Sequence, residues 1–106
     1  MMKESDWKVF KQTKKKAIET FCTNVLYECE EVIRDNSNHV HDRYVSLYRL
    51  VQSRDKKMAQ LFDDHSRSKA ALQLLLIRKE GLADENLVNK LSNEFRDETN
   101  PNRHGW

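Results

Sequence analysis

The stretch SKAALQLLLIRKEGL, residues 68–82, decides the fold because it combines a continuous apolar helix with a defined stop. Apolar residues occupy nearly every side of this helix, as in helices that other helices surround. They are Ala70, Ala71, Leu72, Leu74, Leu75, Leu76 and Ile77. Gly81 followed by Leu82 is typical of a helix end in which a left-handed glycine precedes an apolar contact. We therefore predict a central helix over residues 68–80.

Two long amphipathic helices are predicted upstream of the central helix. The first begins at Ser5 or Asp6 and ends near Asp35, and the second begins at Asn38 or His39. Apolar residues recur in both at intervals of three and four. In the first helix they are Trp7, Phe10, Ile18, Phe21, Val25, Cys29 and Val32, with Lys14 interrupting the stripe. In the second they are Val40, Tyr44, Leu47, Tyr48, Val51, Met58, Leu61 and Phe62.

A short fourth helix is predicted after the central one. Asp84 is a suitable N-cap for a helix in which Leu87, Leu91 and Phe95 recur every four residues. Because the period-two alternation of strands is missing, we predict an all-α fold, a small bundle of two long and two shorter helices. The residues expected to pack around the central helix are Phe10, Ile18, Phe21, Tyr44, Leu47 and Val51.

Length and composition indicate one domain followed by a tail. The chain has 106 residues, of which 34% are charged and 38% hydrophobic, and its mean hydropathy is −0.89. We expect a single domain over residues 1–96 and a polar, flexible tail over residues 97–106, which contain the only proline. Without an apolar run of membrane length or an apolar leader, we expect a cytoplasmic protein that does not associate with membranes.

The two cysteines are expected to be free thiols. Cys22 and Cys29 are seven residues apart in a predicted helix, which places them roughly 10 Å apart along its axis. That separation is too large for a disulfide between them. The alternative that stays open is a disulfide between subunits or a redox role.

Catalytic and metal-binding motifs are missing from the sequence. It contains no nucleophile elbow, phosphate loop or dinucleotide fingerprint, and no paired histidine spacing typical of a metalloenzyme. His39 and His41 would point to different sides of a helix. We therefore expect a protein that is not an enzyme and that has no catalytic residues, no cofactor and no metal site.

The segment DDHSRSKA, residues 63–70, is the densest in chemistry. It places acidic, basic and hydroxyl groups at the predicted start of a helix, where backbone N–H groups favour anions. With the lysines of the first helix, it forms a candidate site for an anion or a partner. The residues are Asp64, His65, Arg67, Lys69, Lys11, Lys14 and Lys15. The alternative is a plain helix start, with Asp64 as the cap and Arg67 paired with Asp63.

Charge is unevenly distributed along the first helix. Lysines at positions 8, 11, 14, 15 and 16 are followed by acids at positions 28, 30, 31 and 35, which opposes the preference of the helix dipole. Two copies of this helix packed antiparallel would place each basic half against an acidic half. An antiparallel homodimer is therefore one interpretation, and two ordinary solvated faces are the other.

Three segments resemble small bacterial all-helical proteins to which no function is attached. They are DWKVFK at residues 6–11, SRSKAALQLLLIRKEGL at residues 66–82 and ENLVNKLS at residues 85–92. The resemblance covers the two ends of the chain better than the middle helix. It implies a compact all-helical protein, and it carries no functional residue across.

The expected function is therefore interaction rather than catalysis. Helix surfaces without a catalytic set suit a small regulatory or adaptor protein that binds another protein or a second copy of itself. The alternative is weak binding of nucleic acid or a phosphate ligand by local basic patches, although the net charge of +2 is small for a dedicated nucleic-acid binder. The bases involved would be Lys11, Lys14, Lys15, Lys16, Arg67, Lys69, Arg78 and Lys79.

Overall fold

The fold is all-helical, as predicted. A computed structural model describes residues 2–105, which form five α-helices and two 3₁₀ turns. The α-helices are α1 (Glu4–Arg34), α2 (Val40–Phe62), α3 (Ala70–Lys79), α4 (Glu85–Val88) and α5 (Asn93–Glu98). The 3₁₀ turns are Arg67–Lys69 and Pro101–His104. None of the helices in this described part is long and apolar enough to cross a membrane.

The molecule consists of a packed head and a projecting two-helix arm. Its radius of gyration is 16.7 Å and its extents are 53 × 26 × 22 Å, whereas a compact chain of this length has a radius near 13 Å. We call residues 18–60 the arm, and none of them is buried. We call residues 2–17 and 61–105 the head, which contains all of the buried residues.

The core of the head has two clusters, and α3 contributes to both. The first cluster is Trp7, Phe10, Ala70, Leu74, Val88, Leu91 and Phe95. The second is Ala17, Leu61, Phe62 and Ile77. The prediction of a central third helix is therefore confirmed, although Leu72 is 52% exposed.

The predicted packing of Tyr44, Leu47 and Val51 around α3 is wrong. Leu47 lies in the arm and belongs to neither core cluster. Tyr44 is 68% and Val51 48% exposed, because α2 buries only Leu61 and Phe62 in the core. The reason is length. The 31 residues of α1 span roughly 46 Å, whereas the 10 residues of α3 span roughly 15 Å. A helix this short cannot cover the whole hairpin of α1 and α2.

Two predicted helix boundaries after α3 are confirmed. Gly81 has φ of +73°, and its N–H donates to the carbonyl of Arg78 at 3.0 Å while the N–H of Leu82 donates to the carbonyl of Ile77 at 3.1 Å. This pair of bonds is the Schellman motif. Asp84 then caps α4, since its side chain accepts hydrogen bonds from the N–H groups of residues 86 and 87.

The predicted fourth helix is instead two short helices, α4 and α5. The break occurs at Ser92, whose hydroxyl caps α5 by accepting from the N–H of Phe95. The buried carboxylate of Asp6 accepts from both the N–H of Ser92 at 2.8 Å and its hydroxyl at 2.6 Å. A contact between the two ends of the chain, which local periodicity does not reveal, therefore sets this break.

Packing continues beyond the predicted domain boundary at residue 96. Helix α5 runs to Glu98, and Thr99 is fully buried. The hydroxyl of Thr99 donates to the carbonyl of Phe95 at 2.8 Å and accepts from Nη1 of Arg78 at 3.0 Å. The start of the segment expected to be a tail thus belongs to the head. Residues 1 and 106 lie outside the described part.

Candidate interaction site

The junction between α2 and α3 is held by the buried side chain of Lys14. Its Nζ donates to the backbone carbonyl of Asp64 at 2.7 Å and lies 3.2 Å from Nδ1 of His65. Gln73, also buried, donates to the same carbonyl at 2.6 Å. Burial lowers the pKa of Lys14, while the nearby charges of Asp64 and Asp63 raise it by a smaller amount.

Several of the predicted site residues gather around Trp7. The guanidinium of Arg67 lies 5.3 Å and Nζ of Lys11 5.7 Å from the centre of the Trp7 ring, both within cation–π distance. The ring of His65 lies 5.3 Å from the same centre. Trp7 is only 9% exposed. This set, which we call the Trp7 cluster, fixes the start of α1 against the junction.

Other features of the predicted site differ from expectation. Asp64 contributes its backbone carbonyl rather than a capping carboxylate, and the 3₁₀ turn before α3 has no side-chain cap bond. Arg67 pairs with Glu4 at 2.6 Å, not with Asp63. Lys15 and Lys69 are exposed and take no part in the contacts of the Trp7 cluster described above.

Two of the other predicted basic residues have partners within the head. Lys16 pairs with Asp84. Arg78 donates to the carbonyl of Arg96 at 2.6 Å and to Thr99, and burial lowers its pKa. Within residues 2–105 there is no group of three or more His, Cys, Asp or Glu side chains that could hold a metal ion. Lys16 and Arg78 thus form ion pairs and hydrogen bonds within the head.

The arm presents an apolar surface on one side, which we call the open face. On α1 its residues are spaced by four, three and four, the interval of a helix-packing seam. They are Cys22, Leu26, Cys29 and Ile33 on α1, with Val40, Tyr44, Tyr48 and Val51 on α2. The two cysteines are half-buried free thiols, and the other six side chains are between 48% and 74% exposed.

Two grooves lie along the open face. One of about 330 Å³ runs between α1 and α2, where Leu26 and Cys22 face Val51 and Met58. Another of about 490 Å³ lies along α1 beside Leu26, Cys29 and Ile33. The face therefore offers recesses as well as exposed apolar side chains.

Charged side chains at the base of the arm pair within the chain, on the side opposite to most of the open face. Arg54 donates to both carboxylate oxygens of Glu28, at 3.1 and 2.7 Å, and this hydrogen bonding lowers the pKa of Glu28. Lys57 pairs with Glu80 at 2.5 Å. Glu80 and Leu82, at the end of α3, line the groove on this side together with Arg54 and Lys57. The end of α3 thus lies against the base of the arm, on the side opposite to the open face.

Comparison with protein-family models, with curated proteins and with solved structures found no match. The resemblance of the chain ends to small bacterial helical proteins therefore stays a prediction. Functional inference rests on the geometry of the head and the arm.

The open face is the feature that sequence reasoning assigned incorrectly. Cys29 and the four α2 residues fall on stripes that the sequence predicts to lie in the core, because a stripe alone does not say what covers it. Cys22, Leu26 and Ile33 lie beside the predicted stripe of α1 and were not assigned to it. The signal that could have found it is the mismatch between two long amphipathic helices and a third helix of about half their length. Part of each long stripe has to lie beyond the reach of the short helix.

Proposed function

We propose that this chain is a non-catalytic protein–protein interaction module that binds through the open face of its arm. The observation that carries the proposal is the exposure of six large apolar side chains on one side of a two-helix arm. Together they expose on the order of 600 Å². This area is at the upper end of the range of sizes found for the largest apolar patch on a monomeric protein. An exposed apolar surface of this size is often functional.

The chemistry of the open face favours a helical partner. Its side chains form two parallel stripes with one groove between them and another along α1, as in surfaces that take the apolar side of an amphipathic helix. The candidate partners are a second copy, which would make the protein a homodimer, and a different helical protein that this chain regulates or links. We also propose a cytoplasmic location, which the two free thiols support.

The alternative function, binding of nucleic acid or a phosphate ligand, would use Lys11 and Arg67 of the Trp7 cluster. These two cations lie over one indole ring. Arg67 already pairs with Glu4, and the indole is too covered to stack on a base. The geometry therefore favours the open face over this cluster.

Site-specific photo-crosslinking in the native cell tests the proposal. A photoreactive phenylalanine analogue replaces Tyr44 on the open face or, as the control, the exposed Ser46. The two positions are two residues apart and so lie about 200° apart around α2. We expect a discrete cross-linked protein, identified by mass spectrometry, from position 44 and none from position 46. Equal products from both positions, or none from either, would contradict the proposal.

A further inference from the structure

We infer that the occupant of the open face is a second copy of this chain, with the two arms side by side and their tips at the same end. The tip is the turn at residues 35–39. The inference rests on the proposed function of the open face and adds the identity and orientation of the partner. Helix α1 of each copy would lie against α2 of the other.

The arm has the pattern of half a four-helix bundle. Each of its helices carries one half-buried stripe toward the other helix, which includes Val25 and Val32 on α1 and Leu47 and Leu50 on α2. Each also carries the exposed stripe of the open face. A helix in a four-helix bundle needs both stripes, because it packs against two neighbours. A second hairpin would supply the missing neighbours.

The charges of the two arm helices are complementary to each other. In residues 18–35 there are five acidic side chains and one basic one, whereas residues 40–60 carry five basic and two acidic ones. Without Glu28, Arg54 and Lys57, which already pair within the chain, four acidic and one basic side chain remain in the first range and three basic and two acidic ones in the second. The arm thus pairs an acidic helix with a basic helix. A second copy brings the same two helices, so it matches both charges without any other partner.

This charge pattern selects between the two orientations that two-fold symmetry allows. With the tips at opposite ends, α1 packs on α1 and α2 on α2, so like charges meet. With the tips at the same end, α1 packs on α2 of the second copy, and every neighbouring pair is antiparallel and opposite in charge. Because like-charge contacts are unfavourable, the second orientation is favoured.

The antiparallel α1–α1 pairing suggested by the sequence has less support in the structure. It requires the lysines of the first half of α1 to face the acids of a second copy. Lys14 instead donates to the carbonyl of Asp64, and Lys16 pairs with Asp84 within the same chain. The acidic half of α1 lies in the arm, where the basic helix α2 of a second copy is the better match.

Space and area are consistent with this pairing. The end of α3 packs on the other side of the arm, beside Arg54 and Lys57, so it does not block the open face. A standard interface covers about 800 Å² on each partner. The open face and its polar edges supply an area of this order.

Sedimentation equilibrium over a hundredfold range of concentration tests self-association. We expect a reversible dimer whose dissociation constant rises at least tenfold in Leu26→Ser. The matched control is Leu72→Ser, since Leu72 is a comparably exposed leucine on the head, and we expect it to leave the dimer unchanged. Circular dichroism of both variants verifies that they fold.

Cysteine cross-linking tests the orientation, in a background where Cys22 and Cys29 are changed to alanine, which keeps the open face apolar. Leu26 and Val51 line the same groove and therefore lie at the same height on the arm. With the tips at the same end, chains carrying Leu26→Cys cross-link to chains carrying Val51→Cys and not to one another. Cross-linking of Leu26→Cys chains to one another would show opposite tips and overturn the orientation.

A strict monomer at every concentration would overturn self-association. The photo-crosslinking at position 44 then separates this failure from failure of the proposed function. A cross-link to a different protein would leave the open face as a binding surface with another occupant. The absence of any position-specific cross-link would overturn both.

Discussion

The Nζ of Lys14 donates a 2.7 Å hydrogen bond to the backbone carbonyl of Asp64, fifty residues further along the chain. This bond joins the first third of α1 to the junction at which α2 ends. It also explains why a lysine interrupts the apolar stripe of α1. The ammonium is buried, yet it has a strong acceptor in the carbonyl and a second polar neighbour in His65.

We expect Lys14→Ala to destabilise the head by about 1–3 kcal/mol, because the carbonyl of Asp64 loses a buried charged donor. Lys15→Ala is the matched control, since Lys15 is exposed, and its effect should stay within about 0.5 kcal/mol. Urea denaturation at one fixed protein concentration measures both. Equal effects of the two substitutions would show that the bond to Asp64 contributes nothing.

We expect Asp6→Ala to loosen the start of α5. The change leaves the N–H and hydroxyl of Ser92 without the carboxylate that accepts from both, at a cost of about 1–3 kcal/mol. Hydrogen exchange of the amides in α5 should then become faster, while the exposed neighbour substitution Ser5→Ala leaves it unchanged. If hydrogen exchange in α5 is unchanged in Asp6→Ala, the contact between Asp6 and Ser92 does not stabilise the start of α5.

The ion pair between Glu28 and Arg54 predicts a pH dependence of arm stability. Its hydrogen bonds lower the pKa of Glu28 below the ordinary value of 4.5. A lowered folded-state pKa stabilises the fold above pH 4.5, and this contribution is lost as the pH falls through the lowered value. Both side chains are more than a third exposed, so the pair contributes about 0–1 kcal/mol.

The measurement for this pair compares the original chain with Arg54→Gln. We expect the difference in their unfolding free energies to be present at pH 7 and to disappear once Glu28 is protonated. The double variant Arg54→Gln, Glu28→Gln is the control, since it has no carboxylate at position 28 to titrate. A difference that is constant from pH 7 down to the acid limit would mean that the role of Arg54 is packing alone.

Whether a feature of this fold could be predicted from the sequence depends on how far apart along the chain the interacting residues lie. The end of α1 at Asp35, the stop at Gly81 and the cap at Asp84 depend on residues within one or two turns, and the sequence predicts them. The prediction that Ser5 or Asp6 caps α1 is wrong, since the helix begins at Glu4 without a side-chain cap bond. The break at Ser92 depends on Asp6 at the other end of the chain. The buried position of Lys14 likewise depends on a carbonyl fifty residues away, and local periodicity does not contain that information.

In the candidate site, too, the choice of residues could be predicted from the sequence but their contacts could not. Lys11, His65 and Arg67 could be selected from sequence as one group because they are basic residue types in two segments rich in charged residues. Their common contact with Trp7 could not, since His65 and Arg67 lie 58 and 60 residues from Trp7 along the chain. The open face was concealed for the opposite reason, because exposed and buried apolar stripes have the same spacing.

Nucleic-acid binding, the alternative function, makes a separate prediction. We expect no binding of a fluorescent oligonucleotide at low salt beyond weak association, because the net charge is only +2 and Arg67 pairs with Glu4. Fluorescence anisotropy over a salt series measures it. Tight binding that falls steeply with salt, and that is lost in a Lys11→Gln, Arg67→Gln variant, would favour the alternative.

The two glycines of the chain provide a matched pair for the stop of α3. Gly81 and Gly105 have φ of +73° and +72°, and a Cβ added at either would meet no atom within 4 Å. Alanine at either position is therefore opposed by backbone conformation alone, at about 1 kcal/mol.

The consequences should differ because the two glycines lie in different surroundings. The turn at Gly81 places Leu82 against the second core cluster, so the strain of Gly81→Ala is expected to appear in full in the unfolding free energy. Gly105 follows the last 3₁₀ turn, where local fraying can relieve the strain, so Gly105→Ala should cost less than about 0.5 kcal/mol. Urea denaturation of both variants at one protein concentration measures the difference. An equal loss in both would mean that the last 3₁₀ turn is as firmly packed as the end of α3.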